Sequence, residues 1–237
     1  MTLTLGLLGG MGPAATLDFL AKLQAFTPAR SDAQHIRVIA DINPQVPDLN
    51  VAGSGAGPVL AEMAGALRGA GADVLVIACN AAHAHADLIQ RAADLPLIDM
   101  IATAAGAASH LGVRRVGVLG SKPAFRLYRE HLAAQAMGMV VLEPESQAEF
   151  LELVAQIKAG DIDAAVQAKA AELAAELVAG GAEAIIAGCT EIPLVLRPEA
   201  VRVDLIDPAE QLARRCVAVC LGAEPIPAIP GSWSSVV

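Results

Sequence analysis

Aromatic side chains are nearly missing from this chain: Phe, Tyr and Trp together make up 3% of its 237 residues. Charge is scarce as well, at 17%, and basic residues are the scarcer kind, with 16 Lys and Arg against 25 Asp and Glu. The net charge of −9 and pI near 5.0 argue against nucleic acid as a main partner. Phosphate backbones are held by a basic face and single-stranded bases by stacking aromatics. A small anionic substrate stays open, since it feels its own site rather than the global sum. Long apolar runs are lacking too. Mean hydropathy is high at +0.53, yet runs such as Val74 to Ala78 and Ala184 to Ala187 fall far short of the roughly 20 residues of a spanning helix. No membrane span is expected. Met1 to Gly10 has no basic leader region and reads as a first strand rather than a signal peptide. The four cysteines, at 79, 189, 216 and 220, are then expected as reduced thiols in the cytoplasm.

What the chain does have is aliphatic bulk: 55% of its residues are hydrophobic. That is too apolar for disorder and enough for a substantial core built from Ala, Val, Leu and Ile. Short β-branched runs predict strands at Leu3–Leu8, Ile36–Asp41, Val74–Ala78, Leu97–Ile98, Arg115–Leu119, Met139–Leu142, Ala184–Ala187 and Val203–Ile206. Ala-rich segments of helical period lie near 13–26, 57–70, 83–93, 99–110, 123–136, 145–159, 161–179 and 208–221. Such alternation, with strands apolar throughout, predicts an α/β protein with doubly wound, mainly parallel sheets flanked by helices. The Pro- and Gly-rich stretch from Asn43 to Pro58 reads as a mobile loop, with GSGAG at 53–57 as a lid, and 223–237 as a loosely packed tail.

The chain repeats itself. Leu5-Gly-Leu-Leu-Gly-Gly10 matches Val116-Gly-Val-Leu-Gly-Ser121, and Gly71 to Asn80 (GADVLVIACN) matches Gly181 to Thr190 (GAEAIIAGCT). Residue 116 follows residue 5 by 111, and 181 follows 71 by 110. That period is too long for a solenoid and fits two copies of one α/β half. The expected division is 1–100 with 208–222 as an N-terminal lobe and 101–207 as a C-terminal lobe. The active site would lie between these two pseudo-symmetric lobes.

Each copy ends a buried strand on a cysteine, where a helix is expected to begin. Ligands of open α/β sheets bind beyond the carboxyl ends of the strands. A pseudo-two-fold would therefore bring Cys79 and Cys189 to opposite sides of one cleft. A single buried cysteine is usually a small hydrophobe; two at matching strand ends, followed by the polar Asn80 and Thr190, favour catalysis. Cys216 and Cys220, four apart on one helix with no counterpart, read as core. Opposed thiols suit inversion of a carbon centre, one thiolate removing a proton as the other thiol supplies one. Thiols titrate near 8.5, so activation is needed, and a helix start can supply it. Backbone N–H groups after both cysteines, and after Gly9-Gly10-Met11-Gly12-Pro13, could hold a substrate carboxylate.

GLLGGMGPAAT (6–16), SDAQHI (31–36), NPQVPD (43–48), CNAAH (79–83) and GCTEIPL (188–194) together resemble the aspartate/glutamate racemase family, over nearly the whole chain. The resemblance implies a Cys/Cys two-base mechanism on a free amino acid, no cofactor or metal, and frequently a homodimer. It implies Cys79 and Cys189 as the catalytic pair. Asn80 and Thr190 would hold the α-carboxylate or amino group, Met11 and Gly12 the loop over it, and Lys158 a second carboxylate. Ala81, Ser121 and Glu191 complete the expected substrate-binding set.

Three departures bear on specificity. The family's first motif usually reads CNTAH, so Ala81 forfeits a hydroxyl. Where aspartate racemases carry PDR, this chain has Pro47-Asp48-Leu49, without the arginine that would clamp a side-chain carboxylate bidentately. Ser121-Lys122-Pro123-Ala124-Phe125 before Tyr128 replaces a Thr-containing segment. Racemisation or epimerisation is thus expected, with side-chain specificity altered from aspartate. Alternatives are a hydantoin racemase, a maleate-type isomerase or a non-catalytic amino-acid-binding homologue; the presence of both cysteines argues against an arylmalonate-type decarboxylase, which needs only one proton donor. His83 reads as packing under the site, since it and His85 lack a third metal ligand. Glu191 could orient the thiol or the substrate amine, or simply favour a helix N-terminus. Asp207 reads as an N-cap, and Arg114, Arg115, Arg214 and Arg215 as solvated or interface charges.

Overall fold

The structure, a computed structural model, describes residues 2–229. These contain eight strands and eight α-helices, alternating except that two helices lie between the sixth and seventh strands and only 3-10 turns between the seventh and eighth. The first four strands are β1 (Leu5–Gly9), β2 (Val38–Ile42), β3 (Val74–Ile77) and β4 (Leu97–Ile98), forming one sheet in the order β2-β1-β3-β4. The others are β5 (Arg115–Val118), β6 (Gly138–Val140), β7 (Ala184–Ile186) and β8 (Asp204–Ile206), in the order β6-β5-β7-β8. All pairings are parallel. The internal repeat holds down to register: Leu5 sits opposite Val74 in the first sheet, and Val116 opposite Ala184 in the second. The turns leading into β3 and β7 also match. Gly71 and Gly181 have φ of +96° and +91°, the left-handed conformation that only glycine adopts cheaply. The N–H of Ala72 then bonds the carbonyl of Leu67 and that of Ala182 the carbonyl of Leu177, at 3.1 and 2.9 Å.

The helices are α1 (Pro13–Phe26), α2 (Ala56–Gly69), α3 (Ala86–Ala93), α4 (Met100–His110), α5 (Lys122–Ala133), α6 (Pro144–Ala159), α7 (Ala164–Ala179) and α8 (Pro208–Cys220). Both faces of the inner strands β1, β3 and β7 are buried along their whole length, which is why those strands carry no polar residue and show no alternation. On the first sheet Leu5, Leu7, Val74 and Val76 pack with Phe19 of α1 and Leu212, Cys216 and Cys220 of α8. The opposite face, with Leu8, Leu75 and Ile77, meets Leu60 and Met63 of α2 and Ile89 of α3. On the second sheet Val116, Val118 and Ile186 pack with Ala104 of α4 and Tyr128 of α5. Its other face packs Ile185 against Phe150 and Leu153 of α6 and Leu173 of α7. The helix after β4 therefore covers the second sheet, and the helix after β8 covers the first. Cys216 and Cys220 are core, as expected.

Helix starts follow ordinary rules: Asp99, Asp163 and Asp207 accept backbone N–H bonds as N-caps. Asp207 lies away from the cavity described below and also accepts from Lys22 of α1 at 2.6 Å. Two expectations need correction. The chain after each site cysteine forms a short 3-10 helix, Ala81–His85 and Ile192–Leu194, rather than an α-helix. After β3 the His83 N–H bonds the Asn80 carbonyl at 3.2 Å, three residues back. After β7, Pro193 has no N–H with which to close an α-helical turn. The loop expected over 43–58 is shorter, because α2 begins at Ala56 behind Gly55, whose φ is +87°. Of the tail, 230–237 lie outside the described residues; Ala223 and Glu224 close onto the Ala218 carbonyl. Arg115 donates to the Gly180 carbonyl, Arg214 stacks on Phe26 and Arg215 bonds Thr103. No helix among the described residues is long and apolar enough to cross a membrane.

Candidate active site

A cavity of about 770 Å³ opens at the carboxyl ends of both sheets. Four strand-to-helix turns supply much of its wall: Gly10 to Pro13 after β1, Cys79 to Ala81 after β3, Ser121 and Lys122 after β5, and Gly188 to Glu191 after β7. The 44–50 segment after β2 and one face of α6 complete it. All ten residues expected at the site line this one cavity: Met11, Gly12, Cys79, Asn80, Ala81, Ser121, Lys158, Cys189, Thr190 and Glu191.

The turn after β1 is held by Thr16 of α1, whose hydroxyl accepts from the Gly10 N–H and donates to the Gly12 carbonyl, each at 2.9 Å. Gly10 has φ +98°, and a Cβ there would come within 2.5 Å of the Asn43 backbone. Glycine is required by conformation and by space. This turn reaches the other half of the chain: the Gly12 N–H donates to Glu191 Oε1 at 3.2 Å.

Glu191 is the hub. Its carboxylate, almost wholly buried, accepts from the Cys189 thiol at 2.9 Å and from the Thr190 hydroxyl at 3.4 Å. The Lys158 ammonium stands 3.8 Å from its other oxygen. Burial raises the Cys189 thiol well above the ordinary range, and the Glu191 charge and hydrogen bond raise it further. Cys79 is pushed up to about 11, first by burial and then by the Glu191 charge. Hydrogen bonding from the Ala82 and Ala81 backbone, with Lys158, pulls it the other way. Burial alone would lower the Lys158 ammonium; Glu191, followed by the two thiols and Asp48, holds it above its usual value instead.

Asn80 is held across the halves, because the fully buried Tyr128 hydroxyl donates to its Oδ1 at 2.6 Å. Its Nδ2 is buried with no partner, and so is Oε1 of Gln147, whose Nε2 donates to the Gly120 carbonyl. Both amides line the cavity. Buried polar atoms are almost always paired, so the unpartnered donor of Asn80 and acceptor of Gln147 are two unfilled polar positions among the residues that line the cavity. His83 sits beneath: Nδ1 is 2.8 Å from the Cys79 carbonyl, and Nε2 accepts from the Met100 N–H. The expectation of packing under the site describes it well.

Sequence reading missed Tyr128 and Gln147 as site residues, along with the apolar wall of α6. Gln147, Phe150, Leu151, Val154, Ala155 and Lys158 all face the cavity, at the three- and four-residue steps of one helical stripe. That periodicity was the available signal.

Fold and site together define a doubly wound protein of two repeated halves, with a thiol from each half opening onto one shared cavity. The chain matches the family model described as Asp/Glu/Hydantoin racemase over residues 8–216, and it belongs to that family. It is 36% identical over 186 residues to a glutamate racemase of Synechococcus sp. (strain CC9605), covering 74% of this chain and 67% of that one. It is 26% identical to the broad specificity amino-acid racemase RacX of Bacillus subtilis (strain 168), over 92% of this chain and 98% of that one. Among solved structures, an aspartate racemase homologue from Pyrococcus horikoshii OT3 superposes with a TM-score of 0.75 at 25% identity, covering 92% of this chain and 99% of that one.

Proposed function

We propose that this protein is a cofactor-independent amino-acid racemase or epimerase in which Cys79 and Cys189 are the two acid-base groups. The observation that carries this reading is the position of both thiols on one cavity, with Cys189 donating to the buried Glu191. Glu191 can take the Cys189 proton, leaving a thiolate that removes the Cα proton of the substrate; Cys79 then delivers its own proton to the opposite face. The reverse reaction exchanges the roles, with the Ala81 and Ala82 backbone groups stabilising the Cys79 thiolate. Two thiolates in one buried site repel, so the pair carries one negative charge between them through the cycle. The free Asn80 Nδ2 suits the substrate α-carboxylate and the free Gln147 Oε1 its ammonium. Fixing the carboxylate places developing carbanion charge against hydrogen-bond donors that are already oriented.

Acid and base are both side chains of the protein, so the reading includes no cofactor and no metal. It also takes the protein to be a cytoplasmic homodimer of two lobes divided near residues 100 and 208. The four free cysteines support a reducing compartment, and light scattering of the purified protein tests the dimer. For the activity, the protein is incubated with L- and D-amino acids in D₂O. Deuterium should enter at Cα of at least one amino acid, with approach to the racemate. Binding of an amino acid without exchange or inversion of any would instead identify a binding protein.

A further inference from the structure

The racemase reading leaves the substrate side chain open, and the cavity wall addresses it. Along α6 the stripe facing the cavity is apolar through its middle, with Phe150, Leu151, Val154 and Ala155 between Gln147 and Lys158. The segment after β2 contributes Val46 and Leu49. Leu151 is 45% exposed, a large apolar side chain left uncovered beside a reaction site.

The charges point the same way. Among the described residues the cavity is lined by two cations, Lys122 and Lys158, two anions, Asp48 and Glu191, and no arginine. Lys158 is already 3.8 Å from Glu191. Lys122 is exposed in the first turn of α5, where water screens it and no planar fork fixes a carboxylate. In the working site the thiolate takes the place of the Glu191 charge, whose carboxylate has received the proton, and the substrate ammonium balances its own α-carboxylate. A side-chain carboxylate would then find only Lys158, 46% exposed, and the exposed Lys122, neither of them shielded from water. Volume agrees: about 770 Å³ lies in the upper part of the range of roughly 300–1,000 Å³ that takes drug-sized ligands. A four-carbon dicarboxylate would leave much of it to water. A bulky side chain would displace that water from the carbanion's surroundings.

We propose that the substrate is an amino acid with a bulky, neutral, apolar side chain, aliphatic or aromatic, seated between α6 and the Val46–Leu49 segment, rather than aspartate or glutamate. This rests on the racemase reading, and one experiment separates the two. The native protein is incubated in D₂O with leucine, methionine, phenylalanine, aspartate or glutamate, and loss of the Cα–H signal is followed by NMR. At least one of the three apolar amino acids should exchange with a kcat/KM about tenfold or more above aspartate and glutamate. Faster exchange of aspartate or glutamate than of all three overturns the proposal and leaves the racemase reading standing. Exchange of none of a full amino-acid panel overturns the racemase reading itself. In the Leu49→Arg variant the ratio of aspartate to leucine kcat/KM should rise about tenfold, since a bidentate partner for the side-chain carboxylate is supplied at an apolar wall. An unchanged ratio would mean that Leu49 does not meet the side chain, and would overturn its placement there.

Discussion

The two halves of this chain carry the same four-strand sheet, the same glycine-led turn into the third strand and the same cysteine at that strand's end, yet they differ two residues later. Cys79-Asn80 is followed by Ala81, and Cys189-Thr190 by Glu191. In the second half the thiol has a carboxylate to receive its proton. In the first it has only backbone groups and the distant field of Lys158. The repeat makes the scaffold symmetric, and the difference between Ala81 and Glu191 makes the surroundings of the two thiols unequal. Inversion at carbon needs groups on both faces, but at any moment one must be base and the other acid. An asymmetric pair meets that need at rest, with one thiol already leaning on a base.

The strongest way to break the comparison is to remove each thiol in turn. Cys79→Ser and Cys189→Ser should each lower racemisation by more than about a hundredfold, because a hydroxyl at either face is too weakly acidic for the exchange. Stereospecific deuterium incorporation separates the faces. If one variant retains near-native racemisation, the reaction uses a single base and the pairing of halves has no catalytic meaning.

Glu191→Gln tests the inequality itself. The equilibrium constant of racemisation is unity, so kcat/KM must fall equally in both directions, here by about tenfold to a hundredfold. The separate kcat values are free to diverge, and their ratio reports which direction leaned on Cys189 as base. The pH profile gives a signed check. The negative charge of Glu191 contributes to raising both thiols, after burial. Neutralising it should move the rising limb of the profile, where activity grows as a thiol ionises, to lower pH. A limb that stays in place would show that Glu191 does not sense either thiol.

Much of this is legible in the amino-acid sequence. Every strand from β1 to β8 lies within a residue or two of its predicted run, and in the inner strands burial on both faces writes continuous aliphatic stretches that need no alternation. The paired cysteines were visible because duplication repeats sequence along with structure. What stayed hidden depended on contacts across the halves. Tyr128 reads as a core residue of α5, and nothing local says that its hydroxyl reaches Asn80, 48 positions away. Glu191 was equally consistent with a helix-end charge, and only the third dimension brings it to Cys189 and Gly12. The turns after the two thiols read as helix starts since Ala-rich sequence favours helix everywhere; hydrogen bonds three residues back, and Pro193, decided otherwise.

Tyr128 also sharpens the comparison, because it ties an element of the second half to the Asn80 amide of the first, which the proposed reaction sets on the substrate carboxylate. Without it the Asn80 amide is free to turn, and its unpartnered Nδ2 is no longer fixed on the carboxylate. Tyr128→Phe should raise KM about fivefold to tenfold while kcat changes by less than about twofold, corresponding to roughly 1–1.4 kcal/mol of lost binding. Steady-state kinetics reads the split. An equal fall in kcat with unchanged KM would place Tyr128 in the chemical step rather than in holding the amide.

The smallest effect concerns the scaffold. Gly71 and Gly181 occupy equivalent left-handed turns, so alanine at either should cost about 1 kcal/mol of backbone strain. The surroundings differ, however. A Cβ at residue 71 meets nothing within 4 Å, whereas at 181 it would come within 2.3 Å of the Arg115 guanidinium. That guanidinium donates to the Gly180 carbonyl at 2.7 Å, and it can swing into solvent at the cost of one exposed hydrogen bond. Gly181→Ala should therefore destabilise by roughly 0.5 kcal/mol more than Gly71→Ala, a further drop of about 1–2 °C in Tm for a chain of this size. Paired thermal melts give the answer: equal drops would mean that the Arg115 contact contributes nothing, and that the two turns are energetic as well as geometric equivalents.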